Sequence, residues 1–181
     1  VGLFLYTEKH LANFTLTKTA LKAIYNIGIR SYSLGVKLAG VFGNRKAKKW
    51  TTGRKDWRKT IQTQLGNTEK NIWIHATSLG EFEQVKPLIE KIKADNAFSE
   101  YKIVVTFFSP SGYDYSKNYE LADFKFYLPI DIKINAADFI ELINPSIAIF
   151  VKYDFWFNYL ELLQKKQIPH LFFGCNFREN Q

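Results

Sequence analysis

Apolar residues follow two rhythms along this chain, and the rhythm changes near Asn67. Beyond it they gather into short runs: IWIHA at 72–76, IVVTFF at 103–108, FKFYL at 124–128, IAIFV at 147–151 and LFFG at 171–174. Runs this short, bounded by polar residues, read as buried strands. Between most of them the spacing turns helical, at 81–94, 110–120, 133–143 and 153–166. Strands alternating with helices of this length predict βαβ units and a parallel sheet covered on both faces, a Rossmann-like α/β domain over 68–181.

Before Asn67 the stretch TALKAIYNIGIRSYSLGVKLAGVF (19–42) has helical spacing. At 100° per residue, Lys22, Arg30 and Lys37 fall within about 80° of one another. Leu21, Ile24, Ile27, Tyr32, Leu34, Leu38 and Phe42 crowd the opposite side. Its charge-free runs are far shorter than the roughly 20 residues that a spanning helix needs. Two readings stay open: an amphipathic helix lying in a membrane interface, or one docked on its own domain. Gly28, Gly35 and Gly40 weaken a helix in either setting. Residues 1–18 show an irregular pattern and are set apart as an extension, while 19–60 form a basic amphipathic segment. No compact apolar core with a small-residue cleavage site marks a signal peptide.

Charge sharpens this division. The net of +8 is the sum of two unlike parts. Residues 1–59 carry 13 Lys and Arg against 2 acids, and residues 60–181 carry 12 against 15. The excess of cations belongs to the N-terminal third, as in an arm that meets anionic lipid or nucleic acid. A nucleic-acid module needs stacking aromatics among its cations, and only Trp50 and Trp57 serve. The aromatic content of 17% supports a sizeable core rather than disorder. The single cysteine excludes an internal disulfide, and three scattered histidines give no ligand-like spacing, so neither a metal nor a cofactor is expected.

Ligands of parallel sheets bind beyond the strand C-termini, so the strand-to-helix loops hold the candidate chemistry. The first loop, HATSLGE, carries Ser78, Gly80 and Glu81. The second, SPSG, offers Ser109, Ser111 and Gly112 with free backbone N–H groups suited to an anion. The third, LPID, ends in Asp131, and the fourth, KYDFWFN, contains Asp154. Each has an ordinary reading: Glu81 suits the positive end of a helix dipole, and Ser109, Ser111 and Asp131 suit helix caps. Neither a GxGxxG fingerprint, a GKS/GKT phosphate loop nor a GxSxG elbow is present.

Taken in order, HATSLGEFEQVKPLIEKIK, VVTFFSPSGYDYSKN, YLPIDI, NPSIAIFVKYDFWFNYL and IPHLFFGCNFREN resemble the N-terminal domain of the 3-deoxy-D-manno-octulosonic acid (Kdo) transferases, over about 20–181. The resemblance implies a GT-B glycosyltransferase at the cytoplasmic face of the bacterial inner membrane. Such an enzyme transfers Kdo, with inversion, from CMP-Kdo onto a lipid A precursor. It implies Glu81 as general base within the S-x-G-E motif, and a donor-binding domain beyond this acceptor-side half. In this family an E-x-E-x-W-P-N-like stretch stands where this chain has KYDFWFN, so Lys152 replaces the first acid and Asp154 the second. Asn176 and Arg178 match the end-of-domain motif. The alternatives are a basic nucleic-acid-binding module and a GT-B enzyme with another acceptor.

Overall fold

The computed structural model describes residues 2–66 and 70–175, with side chains from Thr19 onward. Five strands form one all-parallel sheet: β1 Asn71–Ala76, β2 Lys102–Phe107, β3 Phe124–Tyr127, β4 Pro145–Val151 and β5 His170–Phe173. Their order is β3-β2-β1-β4-β5. The predicted strands are all present, within two residues of the expected bounds. The helices are α1 Gly2–Val41, α2 Arg45–Thr52, α3 Trp57–Leu65, α4 Leu79–Ala94, α5 Pro110–Ser116, α6 Lys133–Ile143 and α7 Phe157–Lys165.

Alternation along the strands sorts the core into two layers. Ile72, Ile74, Ile103, Val105, Phe107 and Ile149 face Phe82, Val85 and Ile89 of α4. On the other face Trp73, Val104, Phe126, Ala148 and Phe150 meet residues of α3, α6 and α7. The sheet is doubly wound, as a Rossmann-like domain requires.

Three helices differ from their sequence reading: that expected over 110–120 already ends at Ser116, whose hydroxyl donates back to the Tyr113 carbonyl at 2.9 Å. The α1 helix runs unbroken across residues 18 and 19, because no proline and no glycine between Gly2 and Gly28 interrupts it. The helix expected from 153 begins only at Phe157. Lys152 has φ +60°, a left-handed backbone that ends β4 sharply, and residues 153–156 form a loop before α7.

The arm docks on the domain through polar and aromatic contacts, the Tyr25 ring lying 5.8 Å from Phe157 and the Tyr32 ring 5.9 Å from Phe108. The Tyr25 hydroxyl donates to Asp131 Oδ2 at 2.6 Å, Asn158 Nδ2 donates to Asn26 Oδ1 at 3.1 Å, and Lys22 pairs with Glu161. One aliphatic stripe of α1 points elsewhere: Ile24, Ile27, Leu34 and Val41 are exposed, Val41 by 82%, whereas Ile29 and Val36 are half-buried. Farther along, the turn between α2 and α3 presses against the sheet edge. A side chain at Gly53 would bring its Cβ within 2.2 Å of the Tyr127 ring, so only glycine permits this approach. Beside it the buried Arg54 guanidinium donates to the carbonyls of Leu128 at 2.8 Å, Trp50 at 3.0 Å and Phe108 at 2.8 Å.

Candidate active site

Strand order locates a crevice. From β1 the chain builds outward through β2 and β3, then returns to lay β4 and β5 on the other side. The loops after β1 and β4 therefore diverge, which is where doubly wound sheets bind ligands. Glu81 follows β1 and Asp154 follows β4, so the two acids flank that switch point.

Glu81 sits at the third position of α4, whose N-cap is Ser78. Its Oε2 accepts the Ser78 backbone N–H at 3.1 Å, the carboxylate half of a capping box. The ordinary reading of Glu81 thus holds, and it does not exclude a chemical one. The group is half-buried at the sheet edge, and Gly80 beside it is exposed, with nothing within 4 Å of where a Cβ would stand. The first turn of α4 is therefore bare next to a carboxylate able to accept a proton.

Asp154 is the second acid. Its Oδ2 accepts the Thr77 hydroxyl at 2.7 Å. Burial pushes its carboxyl up to about 6; the negative charge of Glu81 acts in the same direction, and the bonds from Thr77 oppose it. The charge of Glu81 thus reaches Asp154. His75 Nε2 lies 3.7 Å from Asp154 Oδ2, but this is no ion pair. The ring is fully buried, and burial, helped by the Arg54 charge, depresses His75 to about 3, so the imidazole is neutral at ordinary pH.

The remaining sequence candidates divide. Ser109 caps α5 by accepting the Ser111 N–H at 3.3 Å, and the two hydroxyls lie 2.7 Å apart. A Cβ on Gly112 would stand 2.7 Å from the Phe107 ring and 3.1 Å from the Ser78 carbonyl carbon, so this glycine lets the second loop lie against the first. Ser78, Gly80, Glu81, Ser109, Ser111 and Gly112 are thereby brought to one edge, with Asp154 across the crevice. Asp131 is not turned to that edge. It is fully buried, and its oxygens accept the Asn158 N–H at 3.1 Å, the Tyr159 N–H at 3.2 Å and the Tyr25 hydroxyl. It caps α7 from another segment, its carboxyl raised by burial against the opposing pull of these bonds. Asn176 and Arg178 lie outside the described residues.

Sequence reasoning passed over Thr77, His75 and Thr106. The signal was available: Trp73, His75 and Thr77 alternate along β1 and its end, so polar side chains share one face within an apolar run. Register pairs His75 with Thr106 of β2. Trp156, retained in the fourth loop, is half-buried, its ring 4.7 Å from Phe108 and 5.8 Å from His75. Among the described residues no group of three or more His, Cys, Asp or Glu is arranged to hold a metal ion.

Comparison with known proteins gives a consistent set of matches. The profile of the family described as 3-Deoxy-D-manno-octulosonic-acid transferase (kdotransferase) matches residues 52–181. The 3-deoxy-D-manno-octulosonic acid transferase of Aquifex aeolicus is 32% identical over 93 residues, 51% of this chain and 25% of that protein. The protein of the same name from Haemophilus influenzae is 30% identical over 101 residues, 55% of this chain and 23% of that protein. That from Chlamydophila psittaci is 30% identical over 91 residues, 49% of this chain and 21% of its own length. The matched stretch spans about a quarter or less of these relatives.

Proposed function

The chain belongs to the 3-deoxy-D-manno-octulosonic-acid transferase family, and from that premise we propose that it is the acceptor-side domain of an enzyme moving Kdo from CMP-Kdo onto a lipid A precursor, with Glu81 as general base. The observation that carries the reading is the pair of acids across the switch point. Glu81 stands beside the bare turn at Gly80, and Asp154 faces it from the end of β4. An acceptor hydroxyl over Gly80 would give its proton to Glu81 as it attacks the anomeric carbon of the donor sugar, and CMP would leave. Asp154 then orients the acceptor or the base. The donor is held by a second domain.

The arm supports a lipid acceptor. Its exposed stripe, from Leu21 to Phe42, is flanked by Arg30 and Lys37. Such a face suits adsorption to an anionic membrane interface. Among the described residues no helix is long and apolar enough to cross a membrane. A groove of about 520 Å³ between α1 and α2, lined by Tyr32, Val36, Trp50 and Phe108, reaches Ser109 and Pro110 at the site edge. Its lining suits an acyl chain. Nucleic acid is disfavoured because Trp50 is only 4% exposed and Trp57 packs on Phe139, which leaves neither free as a stacking platform.

The test is Glu81→Gln in a protein that also carries the donor-binding domain. The amide retains an oxygen to accept the Ser78 N–H but cannot take a proton. Kdo transfer should fall by about 10²–10⁴-fold, with a thermal midpoint close to wild type. Near-normal turnover would remove Glu81 from the chemistry.

A further inference from the structure

A chain of hydrogen bonds leads from the interior of the sheet to the acid at its edge. The Trp73 Nε1–H donates to Thr106 Oγ1 at 2.8 Å. Thr106 Oγ1 lies 2.9 Å from His75 Nδ1, and His75 Nε2 lies 3.3 Å from Thr77 Oγ1. Thr77 Oγ1 closes the chain on Asp154 Oδ2 at 2.7 Å. Trp73, Thr106 and His75 have no exposed surface.

The chemistry of the two ends fixes the direction of everything between them. An indole N–H only donates, and an ionised carboxylate only accepts. Each hydroxyl has one proton to give. Thr77 gives its proton to Asp154, so it must accept from His75, which requires the Nε2–H tautomer. Nδ1 then accepts from Thr106, whose oxygen takes the Trp73 N–H. All four bonds run the same way.

We propose that Thr77 and His75 are positioning residues: a one-way hydrogen-bond chain anchored at Trp73 holds the Asp154 carboxylate in its orientation beside Glu81. The catalytic consequence rests on the transferase reading above, whereas the chain itself does not. Protonation of Asp154 reverses the sequence of donors. The carboxylic acid gives its proton toward Thr77, Thr77 turns its own toward Nε2, and the imidazole carries its single proton on Nδ1. Thr106 accepts there and turns toward the Ile74 carbonyl, 3.5 Å away. One proton is taken up, at Asp154, and His75 stays neutral throughout. The titratable groups facing Asp154 are His75 of β1 and Glu81 of α4, and Arg54 is the charge acting on His75.

Nitrogen-detected NMR of the three histidines in the full chain tests this directly. His75 should be the Nε2–H tautomer at pH 8. It should become Nδ1–H, still neutral, as the pH falls through the Asp154 titration near 6. Thr77→Val should uncouple the tautomer from pH. In a transfer assay of the two-domain protein it should lower kcat by about tenfold or more with KM held, and Thr77→Ser should restore both properties. An Nδ1–H ring or an imidazolium at pH 8, or a Thr77→Val protein with wild-type kcat, would overturn the proposal. If the wild-type protein transferred no Kdo, the functional reading would fail while the tautomer would still decide the chain.

Discussion

Ile24 and Ile74 are the same side chain in opposite settings. Ile24 on α1 is 66% exposed, whereas Ile74 on β1 has no exposed surface. The sheet encloses its apolar residues and turns Glu81 and Asp154 to the edge. The arm does otherwise: it buries Ser33 and half-buries Tyr25, Asn26, Ile29 and Val36, and shows water Ile24, Ile27, Leu34 and Leu38. Periodicity reports that a helix has two faces, but not which of them its own fold consumes. In α1 a mixed stripe, from Tyr25 and Asn26 through Ile29 and Ser33 to Val36, is the one withdrawn from water, which leaves the stripe of Ile24, Ile27, Leu34 and Leu38 for something outside the molecule.

Truncating both isoleucines puts this contrast to its hardest test. Ile74→Ala should cost about 2–5 kcal/mol in urea unfolding, through lost burial and a cavity. Ile24→Ala should stay within about 0.5 kcal/mol yet weaken flotation with anionic vesicles. Equal costs would mean that the arm is part of the core. A smaller effect separates the acids. Folded Asp154 holds its proton up to about 6, above the ordinary 3.8, so ionising it burdens the folded state. Wild type should lose stability relative to Asp154→Asn as pH rises from about 4 through about 6, by on the order of 1–3 kcal/mol. A difference that is flat with pH would place Asp154 in a wetter setting. A modest effect belongs to the docking of the arm. Tyr25→Phe removes one donor from Asp131 and should cost about 1 kcal/mol, measured by thermal unfolding, with vesicle binding unchanged.

The strands were legible because central strands buried on both faces need continuous apolar runs, and the partly buried edge strands β3 and β5 carry apolar runs as well. The edge residues around Glu81 were legible because loops after strands gather at one edge of such a sheet. What escaped the sequence depends on contacts between distant segments. The start of α7 moved to Phe157 because its first N–H groups are held by Asp131, 28 residues before Tyr159. That same bond turned Asp131 inward, away from the edge its loop position suggested. His75 read as a histidine of no ligand-like spacing, since its partner Thr106, and Asp154 beyond Thr77, become neighbours only through the pairing of β1 with β2 and β4.

Arg54 sets an order in time. Its guanidinium needs the carbonyls of Phe108 and Leu128 side by side, and these follow β2 and β3. The Leu128 N–H meanwhile donates to the Phe107 carbonyl at 2.8 Å, so the two strand ends converge only once β2 and β3 have paired. Until then the guanidinium has no seat, and burying it alone would be costly. Because synthesis runs from the N-terminus, the basic turn leaves the ribosome well before the strands that receive it. A turn made before those strands is seated only after they pair.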